Sequence, residues 1–247
     1  DVPLGAFLSG GIDSSTVVAL MQVQSARPIK TFTIGFDEVG YNEALHAKAI
    51  AQHLGTDHTE LYVSAQQAQD VILMLPALYC EPFADSSQIP TYLVAQLARQ
   101  QVTVSLSGDA GDELFCGYNR YVLADKLWRK LSAVPASLRS LGASGVLSLT
   151  PSRWNALIDP VQNLLPSALR QSNIGDKLHK AARVLAADSV DALYLGLVSQ
   201  WDAPESLVVG GKEPPTLLSA NRPQLWGLCD IQRMMALDTL TYLPDDI

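Results

Sequence analysis

Two short stretches carry most of the side chains that could do chemistry. The first is Ser9-Gly10-Gly11-Ile12-Asp13-Ser14-Ser15. Two glycines let the backbone turn tightly and present bare N–H groups, and a helix starting just after them adds partial positive charge, so the stretch can cradle an anion. The hydroxyls of Ser9, Ser14 and Ser15 add donors. A kinase-type phosphate loop would end in Gly-Lys-Ser/Thr; no lysine stands here, which disfavours ordinary phosphoryl transfer. The second stretch is Ser107-Gly108-Asp109-Ala110-Gly111-Asp112-Glu113. Three carboxylates in five residues would repel one another and any polyphosphate unless a divalent cation sat among them, and Mg²⁺ resolves that conflict. Each stretch has a plainer explanation: a Gly-Gly turn with Asp13 or Ser14 capping a helix, and first-turn acids at Asp112 and Glu113 that favour a helix dipole by roughly 0.3–1 kcal/mol each. Coincidence explains the pair less easily than either alone, because donors and acids complement each other.

The elements around these stretches place both at strand ends. Pro3 to Leu8 is a short apolar run, and Ile12 to about Val23 follows with Ile12, Thr16, Ala19, Leu20 and Val23 spaced for one helical face. Thr31 to Phe36 reads as a second strand. A helix opens near Asn42 after a loop containing Gly40 and closes at Gly55, and His58 to Val63 fits a third strand. Ser64 with Gln67 three residues later predicts a capping box. Ile89 to Gln100 reads as a helix and Val102 to Leu106 as a buried strand, with another helix from Gly111. Strands alternating with helices imply an α/β fold, a parallel sheet with helices on both faces, and ligands in such sheets bind beyond the carboxyl ends of the strands. After about Leu131 the pattern becomes helical: Asp176 to Ala187, Val190 to Gln200 and Asp230 to Tyr242 are expected helices. Trp201 to Pro223, rich in Pro and Gly, is the expected irregular connection.

Whole-chain properties narrow the classes. A chain of 247 residues, 48% hydrophobic, can bury a substantial core, and its net charge of −8 without a long basic cluster argues against a nucleic-acid surface. No apolar run is long enough to span a membrane, and the chain is expected to be cytoplasmic and cut from something longer. Cys80, Cys116 and Cys229 fit neither a disulfide framework nor a zinc site and are expected to be packed thiols. His46, His53, His58 and His179 lack ligand spacing, and the tryptophans are expected in cores or interfaces.

On these residues the chain resembles the glutamine-dependent, class B asparagine synthetases. Ser9-Gly10-Gly11-Ile12-Asp13-Ser14 is similar to the pyrophosphate (PP) loop of the N-type ATP pyrophosphatases. Leu106-Ser107-Gly108-Asp109, with Gly111-Asp112-Glu113-Leu114-Phe115 and Gly117-Tyr118, looks like the second signature of the synthetases. Thr31-Phe32-Thr33-Ile34-Gly35-Phe36 resembles the adenine-contacting strand, and Glu81-Pro82-Phe83-Ala84-Asp85-Ser86-Ser87 the substrate-side loop of bacterial members. The likeness is strongest over about residues 3 to 121; Gly175-Asp176-Lys177-Leu178 and Tyr242-Leu243-Pro244-Asp245-Asp246 fit the same family.

The resemblance implies an adenine nucleotide alpha hydrolase-like fold, with residues 1–131 as the adenylation core and 132–247 as a mainly helical continuation. It implies ATP and Mg²⁺ as cofactors. Ser9, Gly10, Gly11, Asp13, Ser14 and Ser15 would hold the departing pyrophosphate, Asp13 and Asp112 the metal. Phe7, Ile34, Gly35, Ser107 and Gly108 would surround the adenosine, and Asp109 would take a proton from the attacking ammonia. The implied reaction adenylates a small carboxylate, the aspartate side chain in the family, and ammonia then displaces AMP. A lactam-forming synthetase or an amidotransferase on another carboxylate shares this chemistry, and a noncatalytic nucleotide-binding domain would share only the fold. The glutaminase domain that supplies ammonia is absent from these residues, as is a basic stretch the family uses beyond Ile247. The 247 residues alone are therefore expected to be inactive, and a homodimer is an assembly open to the full-length protein. Ala110 and Cys116 stand where glycine is usual, which suits the family pattern if neither position needs a positive φ.

Overall fold

A computed structural model describes residues 2–36, 43–79, 85–158, 174–199, 201, 204–219 and 225–246. Gly40, Asn42, Cys80 and the first four residues of the Glu81–Ser87 loop lie outside the described residues. The chain divides into two compact units, residues 1–112 with 246–247, and residues 113–245.

In the first unit, β1 (Leu4–Phe7), β2 (Lys30–Phe36), β3 (Asp57–Val63) and β4 (Val104–Leu106) form a parallel sheet in the order β3-β2-β1-β4. Phe7 lies opposite Phe32, Ala6 opposite Leu106, and Phe36 opposite Val63. Successive side chains alternate between faces, and each face has its own helices. Ala6 and Leu8 pack with Val18 of α1 (Ile12–Val23) and with Ala47 and Ala51 of α2 (Ala44–Leu54). Phe7 and Phe32 turn to the other face, against Val94, Leu97 and Ala98 of α5 (Gln88–Arg99). Ile34, Phe36 and Val63 meet Val71 of α3 (Ala65–Ile72) and Leu93 there; a short α4 (Leu75–Leu78) follows α3. Full burial of a side chain such as Phe32 contributes about 2 kcal/mol. The expected α/β sheet with helices on both faces is what the chain forms.

Local expectations met mixed outcomes. Gly55 ends α2 in the left-handed conformation, and Ser64 and Gln67 form the reciprocal capping box, with the Ser64 N–H donating to Gln67 Oε1 at 2.9 Å. The apolar face read on α1 is not its buried face. Ile12 and Val23 are 84% and 86% exposed, whereas Ser14 and Val18 are buried. Apolar residues nearly encircle this helix, so periodicity alone could not select the face; the short connection from β1 does. The strand read from Val102 is shorter, and Val104 and Leu106 are exposed rather than buried, because β4 lies at one side of the sheet.

The second unit is helical among its described residues: α7 (Asn119–Leu131), α8 (Ala136–Leu147), α9 (Pro151–Ile158), α10 (Ile174–Ala186), α11 (Val190–Val198), α12 (Asp230–Leu240) and α13 (Tyr242–Asp246), after α6 (Gly111–Phe115) at the junction. Helices α7, α11 and α12 enclose Tyr121, Leu193, Tyr194 and Met234. Trp128 packs against this core, whereas Trp201 and Trp226 are exposed, and Cys229 is an exposed thiol rather than a packed one. Among the described residues, no helix is long and apolar enough to cross a membrane.

One buried ion pair joins α7 to α12. Asp238 Oδ2 accepts from Arg120 Nη2 at 2.5 Å and from the Tyr121 hydroxyl at 2.7 Å, and Arg120 Nε reaches the Tyr194 hydroxyl at 3.2 Å. The Arg120 guanidinium also lies over the Tyr118 ring, 3.7 Å from its centroid. Burial works against the arginine's charge, but the bonds to Asp238 and Tyr194 outweigh it and hold its pKa above the ordinary value. Burial first, and the bond to Asp238 second, push the Tyr121 phenol up. Removing one partner of such a pair strands the other charge. Asp238→Ala should therefore destabilise the fold by about 3 kcal/mol, read as a lower urea midpoint, whereas Asp238→Asn, which keeps an acceptor, should lose less.

Candidate functional site

Sheet order sets the site. Because β4 pairs directly with β1, the loops after Phe7 and after Leu106 leave the same edge side by side. This is the place where the strand order reverses, the usual ligand crevice of an open parallel sheet. Gly108 lies so close to the first turn of α1 that a Cβ there would come within 2.6 Å of the Ser14 nitrogen. A Cβ on Gly111 would come within 2.4 Å of Asp13 Cγ. The second loop can thus lie against the first only because both positions lack a side chain.

The first loop is held by its own hydroxyls. Ser9 N–H donates to Ser14 Oγ at 3.3 Å, Gly11 N–H to Ser9 Oγ at 3.3 Å, and the two hydroxyl oxygens are 3.0 Å apart. Gly10 adopts φ +85°, a conformation that disfavours any other residue. A cavity of about 300 Å³ gathers Ser9, Gly11, Asp13 and Ser14 with Ser107, Gly108, Asp109 and Asp112. A second cavity of about 370 Å³ is mostly apolar, with Phe7, Phe32, Ile34, Phe36, Pro90 and Val94 among its walls. The two share Phe7, Ser9, Thr91 and Val94. One wall is therefore suited to a flat apolar group and the adjoining one to a charged, oxygen-rich group.

Most of the residues singled out from sequence meet here, with instructive exceptions. Ser15 does not line either cavity; its hydroxyl donates to the Gly11 carbonyl at 2.6 Å, and it borders a separate apolar groove between α1 and α2 together with Gly10. Gly35 is buried within β2 and does not line the apolar cavity. Glu113, the third acid of the second stretch, is 3% exposed and accepts from the Tyr118 hydroxyl at 2.9 Å within the second unit. Thr91 and Val94 were not legible as site residues. They sit one helical turn apart on α5, which fixes them to one face, but a threonine and a valine announce no chemistry. Among the histidines, His58 is half-buried on β3, where burial, against the opposing pull of Glu60, holds its pKa below the ordinary value. It lies outside both cavities.

Ala110 and Cys116 overturn an expectation. Both adopt positive φ, 69° and 63°, so the glycines usual at these places would have been conformationally useful. The two residues flank α6 directly, Ala110 just before Gly111 and Cys116 just after Phe115.

With this geometry in place, the comparisons with known proteins are direct. The asparagine synthase family model matches residues 1–247, and the chain belongs to that family. A putative asparagine synthetase (glutamine-hydrolyzing) of Mycobacterium tuberculosis H37Rv is 43% identical over 252 residues, covering 100% of this chain and 35% of that protein. Putative asparagine synthetase (glutamine-hydrolyzing) 2 of Methanocaldococcus jannaschii is 42% identical over 146 residues, 58% of this chain and 28% of its own. Asparagine synthetase (glutamine-hydrolyzing) 1 of Bacillus subtilis is 41% identical over 121 residues, 49% of this chain and 19% of its own. The matched region thus spans at most about a third of these relatives.

Two adjacent substitutions of one methyl group should act in opposite directions. A left-handed backbone costs a non-glycine residue about 1–2 kcal/mol, and glycine's extra freedom in the unfolded chain offsets about 0.4–1 kcal/mol of that. Ala110→Gly should therefore stabilise by about 0.5–1 kcal/mol. Gly111→Ala gains up to about 1 kcal/mol of helix propensity, but its Cβ must displace the Asp13 carboxylate at an overpacking cost of about 1–3 kcal/mol. Thermal unfolding midpoints should rise for the first variant and fall for the second.

Proposed function

We propose that this chain is the nucleotide-binding, carboxylate-activating part of an asparagine synthetase-type ligase. The observation that supports this most is the continuity of the two cavities: an apolar slot between Phe7, Ile34, Phe36 and Val94 opens onto a pocket of loop N–H groups, hydroxyls and carboxylates. The slot suits an adenine ring and the polar pocket its phosphates. Ser9, Gly11 and Ser14 hold the β and γ phosphates at the N-terminus of α1, where backbone N–H groups and the helix dipole favour negative charge, and Gly10 makes the turn between them.

Asp13 and Asp112 line one pocket, and among the described residues no cluster of three or more His, Cys, Asp or Glu could hold a metal. A two-carboxylate set suits Mg²⁺, which takes one or two carboxylates and completes its shell with phosphate oxygens and water. These two aspartates would hold it, and there it would neutralise phosphate charge. With the β and γ phosphates gripped, the α-phosphorus is the open electrophile. A carboxylate oxygen, in this reading that of the aspartate side chain, forms a bond to it, the α–β bridging bond breaks, and pyrophosphate leaves. Ammonia then attacks the acyl carbon, the acyl–oxygen bond breaks, and AMP departs. Asp109, an exposed carboxylate at the mouth of the polar pocket, accepts the proton the nitrogen loses. Glutamine is the source of ammonia in this reading, through a glutaminase part of the whole protein.

Two measurements on the full-length protein check this. Calorimetric titration should show ATP binding at least about tenfold tighter with Mg²⁺ than with EDTA, since bare carboxylates oppose a polyphosphate; equal affinities would remove Asp13 and Asp112 as metal carboxylates. With aspartate and ammonium present, product analysis should find AMP and pyrophosphate, and primary formation of ADP and inorganic phosphate would place the protein in another reaction class.

A further inference from the structure

The phosphate loop needs a fixed point of departure from the sheet. The regular ladder of β1 with β2 ends at Phe7 opposite Phe32, and Leu8 adds one bond, from its N–H to the Phe32 carbonyl at 3.0 Å. The Leu8 carbonyl, the last acceptor before Ser9, takes the hydroxyl of Thr33. Both residues are out of water, Leu8 1% and Thr33 4% exposed. Thr31 and Thr33 project to the face that α1 and α2 cover, where a valine would fill the same space without a hydroxyl to satisfy. A buried hydroxyl is costly unless paired. Thr31 directs its hydroxyl to Thr56 and His58 at the other end of the strand, 3.0 Å and 2.8 Å away. Thr33 directs its own to the loop.

One peptide unit carries the consequence. The Leu8 carbonyl and the Ser9 N–H belong to the same planar amide, which is trans. Fixing the carbonyl toward Thr33 therefore fixes the Ser9 N–H in the opposite direction, toward Ser14 Oγ and into the polar pocket. Ser9 in turn sets the Gly11 N–H through its hydroxyl. We propose that Thr33 is a positioning residue for the phosphate-binding loop, its hydroxyl holding the Leu8 carbonyl so that the Ser9 and Gly11 N–H groups hold the Ser14 and Ser9 hydroxyls in the pocket for the polyphosphate of an adenine nucleotide. This rests on the nucleotide reading given above. Thr33 touches no phosphate and acts through the Leu8–Ser9 amide.

The test uses the full-length protein, with MgATP and adenosine as separate probes. Thr33→Val keeps the shape and removes the donor, leaving the Leu8 carbonyl without its hydroxyl partner. MgATP affinity should fall about tenfold, in keeping with one lost buried hydrogen bond, and adenosine affinity should not change, because adenosine has no phosphate for the loop to hold. Thr33→Ser, which restores the donor, should bind both ligands as the wild type does. Thr33 also borders the apolar cavity, and the adenosine measurement separates that wall from the loop. An equal loss for both ligands, no loss for either, a Thr33→Ser variant as weak as Thr33→Val, or failure of Thr33→Val to fold would each overturn the assignment. If the wild type binds neither probe, the nucleotide reading itself fails; if it binds both and the variants do not discriminate, only the role of Thr33 fails.

Discussion

The pairing of β4 directly against β1 is the constraint from which the site follows. Neighbouring strands lie about 4.8 Å apart, so the segments that continue from them must share space within a residue or two. One of these segments offers N–H groups and hydroxyls, the other carboxylates. Had β4 added beside β3 instead, the same two sequences would have emerged with two strands between them and formed nothing together. Glycine at positions 108 and 111 is part of this constraint rather than an accessory to it. Two backbones brought so close leave no volume for side chains on the facing positions, and Asp13 occupies what volume there is.

Much of this arrangement was legible in the sequence, and what was not has definite physical causes. The two stretches stood out together: each alone has an ordinary structural use, but donors in one and acids in the other complement each other. Their pairing in space was readable from the alternation of strands and helices. Periodicity misassigned the buried side of α1, because a helix with apolar residues nearly all round has no face that its own sequence can prefer; the neighbouring loop decided in favour of Ser14 and Val18. The left-handed conformations of Ala110 and Cys116 were hidden because residue type signals that conformation only when it is glycine. Thr91 and Val94 gain significance only from where α5 lies across the sheet. The link between Arg120 and Asp238 joins positions 118 residues apart, a distance no local pattern can bridge.

Both units depend on contacts that reach far along the chain. Parallel pairing of β1 with β2 and of β2 with β3 spans a few tens of residues, whereas β4 joins β1 across about a hundred. The first two pairings close modest loops and the last a long one. The arginine–aspartate link of the second unit requires the chain to be made through residue 238 before α7 can find its partner. At a synthesis rate of roughly 5–20 residues per second, a separation of 118 residues means a wait of roughly 6–24 s. Partway through that interval α11 is made and supplies Leu193 and Tyr194 against α7, so only the Asp238 side of Arg120 and Tyr121 waits for α12. The arginine's charge thus has a tyrosine hydroxyl as its first partner and a carboxylate as its last.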